Sequence, residues 1–204
     1  MSMQALKQGL VILFIGLFSQ PLLAADSVPE QLIKQTADQV LEIIKNRQQE
    51  FKQDPSKLYA LVDEKVLGHF DFGRMTDLAL GRYKRKVNAD QKPELVNEFR
   101  QLLVRTYGKA LLEYTDQKII YLPMRGSVDK GEVTIRTEIE QKGGFPIPLS
   151  YDMYLKDNDW KVYDISVDNI SLVTNYRSSF ARKIKEAGID GLIKSLQDRN
   201  QESS

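Results

Sequence analysis

The apolar residues of this chain change their spacing twice, and that leaves few folds open. From Leu32 to about Tyr114 they recur every three or four residues, and from Lys118 to Val167 every second residue. From Leu172 onward the helical spacing returns. Helices, then consecutive strands, then helices is the pattern of an α+β domain, not of alternating βαβ units. Gly143-Gly144 and Asp157-Asn158-Asp159 are turn-sized connections, which makes the strands antiparallel neighbours. The expected architecture is a curled antiparallel sheet of about four strands. N- and C-terminal helices pack on one face of it, around an apolar cavity if the interior is not solid.

Helix boundaries follow from local chemistry. Ser27, Pro29 and Glu30 form a helix start, with Ser27 capping and Glu30 completing a capping box. Asp54-Pro55 stops that helix and caps a second, which carries Leu58, Leu61, Val62 and Val66 and ends near Gly68. Asp71 caps a short third helix that Gly81 terminates. Asn88 or Asp90 caps the longest, which runs to about Tyr114, with Pro93 in its first turns. Strands are expected over 118–123, 132–141, 146–156 and 160–167. In the last, Trp160 and Val162 fall on one parity and Ile165 and Val167 on the other, which requires a bulge near Val162 or cover on both faces. Ser171 or Asp168 caps a final helical region that Gly188 interrupts, and Asp190 restarts it.

The N-terminus carries an address. Lys7 precedes the apolar run Gly9–Phe18, which is shorter than the about 20 residues that span a bilayer, and Leu22-Leu23-Ala24-Ala25 follows Pro21. Residues 1–25 therefore form a secretory signal peptide, cleaved after Ala24 or Ala25, and residues 26–198 form one exported domain followed by a disordered tail, 199–204. No cysteine follows the apolar run, so a lipoprotein is excluded. The leader takes one lysine and no acid, so 28 acidic residues face as many basic ones in the mature chain. Zero net charge argues against nucleic acid as a partner. The expected location is the periplasm, where lack of thiols suits an oxidising compartment, and the expected state is a monomer.

Catalytic tools are scarce. With no cysteine and one histidine, thiol chemistry and most histidine-based metal sites are ruled out. His69 lies near Asp71, Asp63 and Glu64, but it has no second nitrogen ligand and reads as a helix-end residue. No catalytic centre, metal or cofactor is expected. Two basic clusters stand out: Arg82, Lys84, Arg85 and Lys86 around Tyr83, and Arg177, Arg182, Lys183 and Lys185 in the last helix. Each reads as a solvated face. The first has a sharper alternative reading, as a contact for an acidic partner or a lipid headgroup phosphate.

Long and aromatic side chains are plentiful at positions that can turn inward. Phe72, Met75, Leu78, Tyr83, Leu103, Tyr107, Leu111, Tyr151, Met153, Tyr176 and Phe180 are the candidate lining of a ligand cavity. The alternative is ordinary core. Tyrosines favour the mouth of a cavity, with an apolar body and a polar tip.

Three stretches resemble one family: ALGRY at Ala79–Tyr83 with FRQLLVRTYGKALLEY at Phe99–Tyr114, WKVYDISVDNISLVTNYRSSF at Trp160–Phe180, and GIDGLIKSL at Gly188–Leu196. In that order, behind a signal peptide, they resemble the MlaC family of periplasmic phospholipid carriers, also known as toluene-tolerance auxiliary proteins. The resemblance implies a non-enzymatic shuttle that carries glycerophospholipid between two membrane complexes. One is an outer-membrane lipoprotein–porin complex; the other is an inner-membrane ABC transporter with an MCE-domain ring. The shuttle maintains outer-membrane lipid asymmetry. Rival readings are a periplasmic adaptor without bound lipid, and a small hydrolase or isomerase using an acid and a tyrosine.

Overall fold

The computed structural model describes residues 28–113, 117–141 and 143–202. The leader, Ser27, Tyr114 and the last two residues lie outside this range. Helix α1 (Val28–Gln53) leads into α2 (Pro55–Lys65) across Asp54, whose carboxylate accepts the Ser56 amide while Pro55 occupies the first turn. Both features satisfy a helix start with no unpaired amide. Within α1 the backbone leaves helical geometry at Arg47, a kink that the stripe of apolar residues did not disclose.

A 3₁₀ turn at Leu67–His69 precedes α3 (Phe72–Leu80), capped by Asp71 through the Arg74 amide at 2.8 Å and stopped at Gly81. A second 3₁₀ stretch, Gly81–Lys86, leads to α4 (Gln91–Leu111). Asn88 is the residue that caps α4: its Oδ1 accepts the Asp90 and Gln91 amides at 3.0 and 2.8 Å.

Strands β1 (Ile119–Ser127), β2 (Glu132–Ile139), β3 (Ile147–Lys156) and β4 (Asp159–Val167) form the expected antiparallel meander. A fifth strand, β5 (Ile170–Ser171), extends it, because Asp168 and Asn169 both adopt left-handed geometry and fold two residues back onto β4. Asp157 and Asn158 do the same in the β3–β4 turn. Register slips between Asp152 and Met153, where Tyr163 of β4 is the extra residue. That bulge resolves the parity change: Leu155–Trp160, Met153–Val162, Tyr151–Ile165 and Leu149–Val167 are all paired on one face.

Helix α5 (Leu172–Glu202) starts where Asp164 accepts the Val173 amide and the Ser171 hydroxyl. It breaks at Gly188 (φ 73°) and resumes, as the sequence led one to expect. It then continues through Glu202, which corrects the expectation of a disordered tail from residue 199. Asn200 is buried and donates to the Glu98 carbonyl and carboxylate of α4 at 3.0 and 2.7 Å, so the final turn is anchored.

The core is in three parts. Helices α3, α4 and α5 enclose one cluster around Phe99, Tyr176 and Phe180, whose rings meet edge to face. Helices α1, α2 and α4 enclose a second around Ile44, Phe51 and Leu58. The third lies where Ile33 of α1 meets Val133, Ile135, Met153, Trp160 and Val162 on the sheet. The β4 edge is partly covered by Phe70, which bridges to Val162, and by β5.

Candidate lipid-binding face

One face of the sheet is apolar from end to end, but only half of it is filled. Toward Trp160 the inward side chains of Val133, Ile135, Met153, Trp160 and Val162 are buried in a cluster with Ile33, and only Leu155 at the extreme edge is 43% exposed. Toward the opposite end Ile119, Ile139, Ile147, Leu149 and Val167, on the same parity, are only half-buried. Register makes them contiguous: Ile119 pairs with Ile139, Ile139 with Ile147, and Leu149 with Val167. A floor of aliphatic side chains thus crosses four strands without a full cover. Thr137, the polar residue among them, is neutralised by donating to the Leu149 carbonyl at 3.1 Å. Helix α4 packs chiefly on α5, α2 and α3, and its Tyr107 remains 36% exposed. An aliphatic face of this extent, left half-open, is the chemistry of a site for hydrocarbon.

The eleven residues expected to line a cavity are divided by the fold. Met75, Tyr83, Leu103, Tyr176 and Phe180 are buried in the α3–α4–α5 cluster, and Phe72 and Leu78 pack against it. Met153 is buried in the filled half of the sheet, with Tyr151 packed beside it. Leu111 leans on the α1–α2–α4 cluster. They do not share one wall. Of the set, Phe72, Leu78, Tyr107, Leu111 and Tyr151 keep some exposure, and the two tyrosines each lie near a further phenol: Tyr107 near Tyr176, and Tyr151 near Tyr121. Burial, and then the neighbouring phenol, pushes both Tyr107 and Tyr151 above the ordinary tyrosine range. Both therefore stay uncharged, as an apolar wall requires. The floor residues Ile119, Ile139, Ile147, Leu149 and Val167 were not among the eleven. Their signal was the strand alternation itself, which marks which side chains turn inward but not whether anything covers them.

The basic cluster lies on the 3₁₀ stretch after α3. Arg82, Lys84, Arg85 and Lys86 are all exposed, while Tyr83 between them is buried. Arg82 donates to the Tyr83 hydroxyl at 3.2 Å, and the Lys86 ammonium lies 5.6 Å from the centre of the same ring. That hydrogen bond, opposed by burial and reinforced by the charges of Arg82, Lys185 and Lys86, holds the phenol below its usual range.

A separate open cleft of about 340 Å³ lies among Phe70, Phe72, Val96, Arg100, Lys156 and Lys161. Its cations are matched by Asp63, Asp71 and Asp159, so it is a polar surface depression and not an apolar channel. His69, at the end of its 3₁₀ turn, is held below the ordinary histidine range by burial and by Lys161, against Asp159. Among the described residues no group of three histidine, cysteine or acidic side chains is gathered to hold a metal, and no helix is long and apolar enough to cross a membrane.

Comparison with known proteins agrees with this geometry. The family model of the MlaC protein matches residues 34–198. The chain is 29% identical over 176 residues to the intermembrane phospholipid transport system binding protein MlaC of Haemophilus influenzae, covering 85% of this chain and 82% of that protein. It is 26% identical over 188 residues to the toluene tolerance protein ttg2D of Pseudomonas putida, covering 91% and 85%. Its fold matches the phospholipid-binding protein of Ralstonia solanacearum, solved in complex with a phospholipid. There the TM-score is 0.78 and the identity 33%, over 85% of this chain and 97% of the other. Since the matched stretch runs from α1 through both arms of α5 and takes in every strand, the chain belongs to the MlaC family.

Proposed function

We propose that this protein is a periplasmic phospholipid carrier that lays acyl chains on the half-covered aliphatic floor of its sheet. The carrying observation is that floor: Ile119, Ile139, Ile147, Leu149 and Val167 are contiguous in register and only half-buried, whereas the other end of the same face is packed with Ile33. Support comes from the Ralstonia relative, which holds a phospholipid on the same fold. Tyr107 and Tyr151 are the rim residues of this reading, while Leu103 and Leu111 of α4 belong to the helical clusters.

Two acyl tails of roughly 30 methylenes would cost about 24 kcal/mol in water at ~0.8 kcal/mol each. That exceeds what ordinary noncovalent binding supplies. The exchange that matters is between bilayer and protein, both apolar, so the large terms nearly cancel. Escape into water is negligible, while transfer to a docked partner is close to balanced. The carrier moves lipid between an outer-membrane lipoprotein–porin complex and an inner-membrane ABC transporter with an MCE ring, and so sustains outer-membrane lipid asymmetry. It needs no catalytic group and no cofactor, and works as a monomer.

Native mass spectrometry of protein purified from the periplasm tests this. The expected result is a mass increment of one glycerophospholipid, released by organic extraction, with little headgroup preference because an aliphatic floor reads tails. Protein that is empty as isolated, and takes up no lipid from phosphatidylethanolamine–phosphatidylglycerol vesicles, overturns it.

A further inference from the structure

The two basic clusters of the sequence lie side by side in the fold. Arg177 of α5 donates to the Leu78 carbonyl at 2.8 Å and lies against Gly81, while Lys185, two turns further on, reaches the surroundings of Tyr83. Arg82, Lys84, Arg85, Lys86, Arg177 and Lys185 thereby form one exposed surface. It draws on two stretches without an acid, 78–89 and 169–185. Several cations elsewhere are matched: Arg47 and Lys57 with Glu50, Arg74 with Glu132, Lys92 with Asp77, Arg100 with Asp63 and Lys156 with Asp71. Among the described residues no carboxylate lies within ion-pairing distance of Lys84, Arg85, Lys86 or Lys185. In a chain whose charges nearly cancel overall, one face has kept its positive charges unmatched.

We propose that this joined surface is a docking site for an acidic protein surface, rather than a headgroup site or a membrane-binding face. One phosphate needs one or two donors, not six cations spread over two elements. The surface also lies behind the α3–α4–α5 core, with Lys185 ~20 Å along α5 from its start at the sheet. A face that enters a bilayer presents exposed aromatic or aliphatic residues among its cations. Here Leu80, Tyr83 and Ile184 are all buried, and none of the exposed large apolar residues falls within 78–89 or 177–185. Charge without insertion is how a transient protein partner is steered and oriented. Such docking would let the carrier engage a membrane complex while its lipid face stays free to turn toward the acceptor.

The inference rests on the carrier reading for its choice of partners. Its test uses the full mature chain with Lys84→Glu, Lys86→Glu and Lys185→Glu combined, and a control carrying Arg at the same three positions. The probes are the lipoprotein–porin complex and the MCE-ring transporter of the same organism, purified in detergent. The expected result is that association of the Glu variant with at least one complex slows by about tenfold or more, that the wild-type rate falls steeply with salt, and that the Arg control binds normally. Phospholipid content by native mass spectrometry is expected to be unchanged. A wild type that binds neither complex, or a Glu variant that binds both as well as wild type, overturns the proposal. So does a Glu variant that folds but has lost its lipid, which would make the surface a headgroup site. Loss of binding to phosphatidylglycerol vesicles with binding to both complexes intact would make it a membrane face and overturn it equally. A wild type without phospholipid would instead sink the carrier reading, by a separate readout.

Discussion

Asp71 joins α3 to the sheet through a single carboxylate. One oxygen accepts the Arg74 amide and caps the helix; the other accepts the Tyr154 hydroxyl and the Lys156 ammonium. Arg74 in turn lies between the Tyr154 and Tyr163 rings, 3.9 and 4.0 Å from their centres, and reaches Glu132. Burial works against the ionised form, but the bonds from Tyr154, Arg74 and Lys156 outweigh it and hold the group at about 2 against an ordinary 3.8. A depressed carboxylate stabilises the fold fully above its unfolded value and loses that contribution as pH falls through the folded one. Asp71→Asn keeps the cap but not the charge. Chemical denaturation should therefore show wild type more stable than Asp71→Asn at pH 7, with the gap closing between pH about 4 and about 2. An unchanged gap across that window would remove the charge from the account. Asp164, pushed up by burial despite its bonds to Ser171 and the Val173 amide, has the opposite sign: its protonation favours the folded state on acidification.

At the scale of elements, most boundaries follow from short-range chemistry. Asp54-Pro55, Asp71 with Gly81, Asn88 and Gly188 each sit where a cap or a left-handed backbone is required, and each is read from its own neighbours. The helix bends and sheet irregularities are less local. The kink at Arg47 has no Pro or Gly at the site, whereas β5 follows from the left-handed Asp168-Asn169 turn that returns two residues onto β4. Gly126 shows how tightly one such irregularity is built. It lies just past the β1 register shift with φ at +90°, and an added Cβ would stand 2.5 Å from the Glu132 carbonyl oxygen. Gly126→Ala should cost ~2 kcal/mol or more, seen as a lower denaturation midpoint with unchanged steepness. A neutral effect would mean that the hairpin relaxes freely.

Only the whole molecule separates core from cargo site. Met153 and Leu149 share a strand and a face, and nothing in their sequence context tells them apart. Ile33 covers the region of Met153, whereas the space over Leu149 is left half-open. Met153→Ala is expected to cost ~2–5 kcal/mol of stability. Leu149→Asp and Tyr107→Asp should cost less than ~1 kcal/mol, since both sites are partly exposed, but should strip the bound phospholipid in native mass spectra. Lipid retained in both folded variants would move the acyl chains to another surface.

The amino-acid sequence alone determined the class of fold, the four-strand meander, most helix caps and the alternation of β2 and β3, because these rest on periodicity and nearest neighbours, while it left a bulge near Val162 and cover on both faces as alternatives. It also marked both basic clusters, though not that they adjoin. The tertiary structure decided which inward side chains are packed solid and which are left half-covered. It also carried Asn200 and the last turn of α5 into contact with α4, and set Arg177 and Lys185 beside Tyr83. Each of these outcomes depends on what another, distant segment covers, and a residue's own spacing carries no record of that.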